Sequence, residues 1–229
     1  MTSPVARGAC PRLSEPMQTG DGLLARIVTA GPIPLDGFTR LCAAANEHGN
    51  GVMEISARGS LQVRGLNALS APLFAAAVEG LGIDLCESVP VLCDPLPDDP
   101  TALIDSQAIA AALRHAIAEA ALALAPKVSV VIDGGGRIGL DAVPADIRLR
   151  ATPTSEGPRL HVALAGDASS ATEVGVIDPQ DAVDAVLALL STIAATGSRR
   201  APPICYRRMT RPRLEPGSSL ARQPSGCIR

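Results

Sequence analysis

The sequence predicts an α+β fold in two units, and three observations carry that prediction. Hydrophobic residues make up 47% of the 229 and aromatics only 1%, so a sizeable core must be built from Ala, Leu, Val and Ile. Strand-like runs and helical segments follow each other in an irregular order rather than one for one, which favours a two-layer α+β arrangement. A stretch with four prolines and four acids, 87–101 (ESVPVLCDPLPDDPT), divides the chain.

Residues 1–22 hold Pro4, Pro11, Pro16, Gly20 and Gly22 and read as irregular. The apolar run 23–28 (LLARIV) predicts a strand, broken by GPIP. In 35–49 the residues Phe38, Leu41, Cys42 and Ala45 recur at helical spacing, and Gly49 stands where a helix ends. Two short strands follow at 51–56 and 60–65, then a helix at 71–82 that again ends at glycine. The first unit therefore reads β-α-β-β-α.

Beyond the break, a long helix is expected over about 102–124 with Thr101 at its cap. Strands are expected at 127–133, 137–143, 145–152 and 159–166, with an extra one near 172–176. Asp178, Pro179 and Gly197 frame a closing helix over 178–197. The second unit reads α-β4-α.

Net charge is −3, yet from Ser198 onward eight arginines face one acid, Glu215. That basic tail has no periodic apolar pattern and is expected to be disordered rather than a nucleic-acid site. No secretory leader and no membrane-length apolar run is visible, so the expected location is cytoplasmic, with no membrane or nucleic-acid partner. Six cysteines (10, 42, 86, 93, 205, 227) then read as reduced thiols, and the one close pair, Cys86 and Cys93, has no metal-site spacing. GGGRIG at 134–139 matches a dinucleotide fingerprint but opens no helix, so a β-hairpin with a glycine turn is expected there. His48, His115 and His161 share no ligand spacing, and no nucleophile elbow or paired-carboxylate pattern is present.

One segment stands apart. In SARGSLQVRG (56–65), a continuous strand would put Arg58, Ser60, Gln62 and Arg64 on one face and Leu61 and Val63 on the other. Guanidinium groups bind carboxylates through a planar fork, so this row suits a polycarboxylate ligand. An ordinary exposed strand with two solvated arginines would show the same pattern.

These residues, with Cys10-Pro11, the run Met17-Gln18-Thr19-Gly20-Asp21-Gly22, and the segment 139–151 (GLDAVPADIRLRA), resemble the precorrin-3B synthases of the siroheme-type nitrite and sulfite reductase superfamily. The resemblance covers about 7–197 and matches the first half of such a protein. It implies a nitrite/sulfite reductase ferredoxin-like half-domain at 1–86, a linker at 87–101 and a second α+β domain, of α/β sandwich type, at 102–197, leaving 198–229 as the tail. It further implies an oxidoreductase that hydroxylates precorrin-3A, a polycarboxylate tetrapyrrole, with oxygen and an external electron donor in aerobic cobalamin synthesis. Arg58, Ser60, Gln62 and Arg64 would face the tetrapyrrole. The family's [4Fe-4S] cluster and siroheme-type iron tetrapyrrole are implied as cofactors. The cluster's C-x5-C and C-x3-C spacings are absent from this sequence. A truncated product, or one completed by a missing second half, is the expectation that follows. A siroheme-dependent reductase half and a non-catalytic tetrapyrrole-binding module are the alternative readings.

Overall fold

The computed structural model describes residues 11–56, 59–86, 89–125 and 127–196. The first unit runs β1 (Met17–Thr19), β2 (Gly22–Ile27), α1 (Leu35–His48), β3 (Met53–Ile55), β4 (Leu61–Leu66) and α2 (Ser70–Glu79). Its sheet is antiparallel throughout, in the order β1-β2-β4-β3. The β-α-β-β-α order is present with β1 added ahead of it. Thr19 explains the addition: its hydroxyl donates to Gly22 O (2.6 Å) and Asp21 Oδ1 (2.8 Å), closing a tight turn between β1 and β2.

Alternation along β2 and β4 and helical period along α1 send Ala25, Ile27, Leu61, Val63, Leu41 and Ala45 into one core, completed by Phe74 and Val78 of α2. Both helices cover the same face of the sheet. The other face carries Arg26, Glu54, Gln62 and Arg64. A bulge keeps the last turn of β4 in register with the core: Ala25 pairs with Val63, but Leu23 pairs with Leu66. Gly65 makes the bulge possible. Its φ is +74°, and a Cβ there would stand 2.8 Å from Asn50 N. Gly65→Ala is expected to lower stability by about 2–3 kcal/mol, from left-handed backbone strain and that collision together. An unchanged urea midpoint would show that the bulge tolerates a side chain.

The second unit runs β5 (Val91–Cys93), α3 (Ser106–Ala120), β6 (Val130–Asp133), β7 (Ala145–Thr152), β8 (Arg159–Gly166) and β9 (Thr172–Ile177), then a 3-10 turn into α4 (Ala182–Thr196). The five strands lie in chain order. β5, β6 and β7 are parallel, and β8 and β9 continue antiparallel. Residues of α3 and α4, such as Leu113, Ile117, Val186 and Leu190, pack with Val130, Ile132, Ile147 and Leu149 on one face.

Three expectations are corrected here. Residues 91–93 are a strand, not linker; a three-residue buried parallel strand has no alternation to betray it. The helix starts at Ser106 rather than 102, capped by Asp105, whose Oδ1 accepts from Ala108 N (2.9 Å). Residues 137–143 are not a strand, and no hairpin forms at the glycines, because β6 and β7 are parallel. The basic tail from 198 lies outside the described residues.

The connection 134–144 instead crosses the face opposite the helices. Val131, Asp133, Arg148 and Arg150 point to that face, since their neighbours Val130, Ile132, Ile147 and Leu149 fill the core. Both β5-α3-β6 and β6-loop-β7 step one strand further in the same direction, but on opposite faces. They therefore have opposite hands, and one of them departs from a rule that about 98% of such crossovers obey. Buried side chains hold the loop in place. Asp133 Oδ1 accepts from Gly135 N (3.0 Å) and Oδ2 from Leu140 N (3.1 Å). Arg148 donates to Val143 O (2.6 Å) and Leu140 O (3.0 Å). Asp99 accepts from Arg137 N (2.7 Å).

Candidate ligand-binding face

The candidate site is the helix-free face of the first sheet. β3 and β4 are antiparallel neighbours, closed by Ser56 N donating to Ser60 O (2.8 Å) and by Gly59 at φ +73°. Gln62 lies at the centre of the face, in register with Arg26 on β2 and Glu54 on β3. One residue pair further along β4, Arg64 donates through Nε to Glu54 (2.9 Å) and through Nη1 to Asp21 (3.3 Å). Glu54 first, then Asp21, raises the Arg64 pKa. The Thr19 hydroxyl, more than Arg64, holds the Asp21 carboxyl below its usual range.

The sequence-predicted residues thus have different surroundings. Gln62 and Arg64 share the open face. Ser60 is buried, and its hydroxyl lies 2.6 Å from Ser56 Oγ, on the closure of the hairpin. Arg58 lies outside the described residues. Arg64 is braced by two acids, so its fork is pre-oriented and part of its charge is answered within the protein.

Arg26 was not singled out from the sequence, yet it is the cross-strand partner of Gln62, and no acid pairs with it among the described residues. Alternation in LLARIV was the available signal, because it sets Arg26 opposite Ala25 and Ile27. The two units meet beside this face. A Cβ on Gly59 would reach Leu92 Cδ2 at 4.0 Å, and Leu92 points away from its own core. On the second sheet's outer face, Arg150 lies 3.8 Å from Asp141, and His161 Nδ1 lies 3.1 Å from Glu173 Oε1.

Among the described residues no three His, Cys, Asp or Glu side chains gather to hold a metal, and Cys42 and Cys93 form no disulfide. Burial, opposed by Arg114, pushes the pKa of the Cys93 thiol up, and an iron–sulfur cluster is held by cysteine thiolates. The described residues do not fit a [4Fe-4S] cluster, which takes four such thiolates. Guanidinium and amide groups on an open sheet face do fit a ligand rich in carboxylates.

No family model matches the sequence. Among solved structures, the NirA protein of Mycobacterium tuberculosis superposes with a TM-score of 0.54 at 15% identity, over 75% of this chain and 34% of that one. A dissimilatory sulfite reductase I gives a TM-score of 0.45 at 12% identity, over 58% and 33%. The fold is a mixed α+β fold shared with the NirA protein. At the level of sequence, the chain is 44% identical over 196 residues to a precorrin-3B synthase of Sinorhizobium sp. That match takes in 84% of this chain and 43% of the relative, so the chain spans less than half of that protein's length.

Proposed function

We propose that this chain forms the tetrapyrrole-gripping part of a precorrin-3B synthase-type oxidoreductase. The substrate is precorrin-3A, and the reaction is an oxygen-dependent hydroxylation fed by an external electron donor in aerobic cobalamin synthesis. The observation that carries the reading is the face built by Gln62 and Arg64 beside Arg26, taken with 44% identity to a precorrin-3B synthase. Arg58 belongs to the same ligand-binding set, and Ser60 supports it through the hairpin closure.

In this reading the residues of the chain bind and orient. The Gln62 amide can donate to one carboxylate while the pre-oriented Arg64 fork meets another, fixing the macrocycle against the sheet. An iron–sulfur cluster and a siroheme-type iron, held elsewhere in the whole enzyme, would relay electrons from the external donor. We place the cluster's ligands outside the described residues, on a second half of the enzyme. No described helix is long and apolar enough to cross a membrane, and a cytoplasmic location fits the pathway.

The test is a titration of the chain with uroporphyrin, an octacarboxylate tetrapyrrole, followed by its Soret band. Losing two charge-assisted contacts in Arg58→Ala/Arg64→Ala is expected to weaken binding about tenfold or more. Glu54→Gln removes an acid beside Arg64 and is expected to tighten binding, most at low salt. Equal affinity for all three proteins would end the carboxylate argument. Binding of precorrin-3A without turnover, when oxygen, a reductant and the remaining half are supplied, would leave a non-catalytic tetrapyrrole module.

A further inference from the structure

A cleft of about 280 Å³ lies between the two units, at the end of the second sheet where β5 and β6 begin. One wall comes from the first unit and holds Arg12 and Arg26. The facing wall is apolar and includes Val89, Ile117, Leu122 and Leu124. Neither guanidinium has an acidic partner among the described residues. Arg64, on the same sheet, has two.

We propose that this cleft binds a small amphipathic anion, with an oxyanion head on the arginine side and an apolar body of about two rings against α3 and the segment that follows it. Three features lead there. Two guanidiniums with no acidic partner among the described residues, at one concave site, offer positive charge that a carboxylate or a phosphate neutralises through paired hydrogen bonds. An apolar wall opposite a few polar groups is the usual make-up of a small-molecule pocket. The volume lies just below the roughly 300–1,000 Å³ usual for such pockets, which suits a two-ring molecule and is too small for a whole tetrapyrrole. The site is therefore separate from the macrocycle face, although Arg26 borders both. It does not depend on the enzyme reading.

The experiment is calorimetric titration of the full chain with 2-naphthoate, 2-naphthyl phosphate and the neutral 2-naphthamide. At least one anion is expected to bind, and the amide at least tenfold more weakly; the tighter anion identifies the head group. Arg12→Ala/Arg26→Ala should erase the preference for charge. Ala118→Trp, an exposed α3 position on the cleft, should block all three ligands while circular dichroism stays unchanged. Arg40→Ala, on the helical side of the first unit, should change nothing. The proposal is overturned if the amide binds as well as the anions, if binding survives Ala118→Trp, or if none of the three binds at millimolar concentration. Uroporphyrin binding is read separately with Arg58→Ala/Arg64→Ala, so failure of one site is distinguishable from failure of the other.

Discussion

Arg148→Met is expected to destabilise the protein by about 3–5 kcal/mol, the cost usual for stripping one member from a buried charged network. Arg148 is 2% exposed and Asp133 is 4% exposed, yet neither forms a salt bridge among the described residues. Each is solvated by the loop instead. The Asp133 carboxylate takes the N–H groups of Gly135 and Leu140, and the Arg148 guanidinium takes the carbonyls of Leu140 and Val143. Leu140 is held at both of its backbone groups, by opposite charges from adjacent strands.

Methionine matches the arginine stem in bulk but leaves Val143 O without its donor and Leu140 O with only the Val143 N–H (3.0 Å), and an unmade hydrogen bond costs about 1–3 kcal/mol when the group is buried. It also leaves buried Asp133 with only Arg150, a half-exposed side chain 3.8 Å from Asp141, as a cation on its face of the sheet. Arg148→Lys should recover only part of the loss, because one ammonium cannot reproduce the fork that spans two carbonyls. Urea denaturation of the three proteins measures this directly. A change below 1 kcal/mol for Arg148→Met would mean that the loop packs without its clamp, and that the crossover on this face needs no buried charge.

That loop also marks where sequence reading stops. Alternation in 137–143 is real, and it predicts a strand. A strand, however, is defined by neighbours that take its backbone hydrogen bonds, and here Asp133 and Arg148 take them. Nothing in the local pattern shows that side chains beyond the segment will claim them. The same limit explains β5, whose three residues are too few for a period, and α3, where Thr101 and Asp105 are both good caps and tertiary packing chooses the second.

On the candidate face the balance differs. Alternation of Leu61 and Val63 with Gln62 and Arg64 was legible, because the core takes one side of β4 and leaves the other open. The bracing of Arg64 was not, because Asp21 reaches it only through the pairing of β2 with β4. Period reports which face a residue takes. The partner across the sheet depends on register, and register is set by Gly65 and the T-G-D-G turn together.

The second large effect is expected at Asp94, which joins three elements at the carboxyl end of the parallel strands. Asp94 follows β5 and is 5% exposed. Its Oδ2 accepts from Ser106 Oγ at the start of α3 (2.7 Å) and from Gly134 N after β6 (2.8 Å), while Oδ1 has no partner among the described residues. Asp94→Ala orphans both donors and is expected to cost about 2–4 kcal/mol. Asp94→Asn keeps the accepting oxygen and should cost less. The pair also separates hydrogen bonding from charge. Burial pushes the Asp94 carboxyl up, outweighing the two hydrogen bonds that hold it down, and nearby Asp133 and Asp99 push the same way. A raised folded-state pKa means that the native protein binds this proton more tightly than the unfolded chain, where the value is about 3.9. Stability from this group is then greatest at low pH and falls as pH rises from about 4 through the folded value. The native protein should therefore lose stability relative to Asp94→Asn across that window and run parallel to it above. Curves that stay parallel from pH 4 to pH 8 would show that the carboxyl is solvated after all, and that the unpartnered oxygen costs the fold nothing.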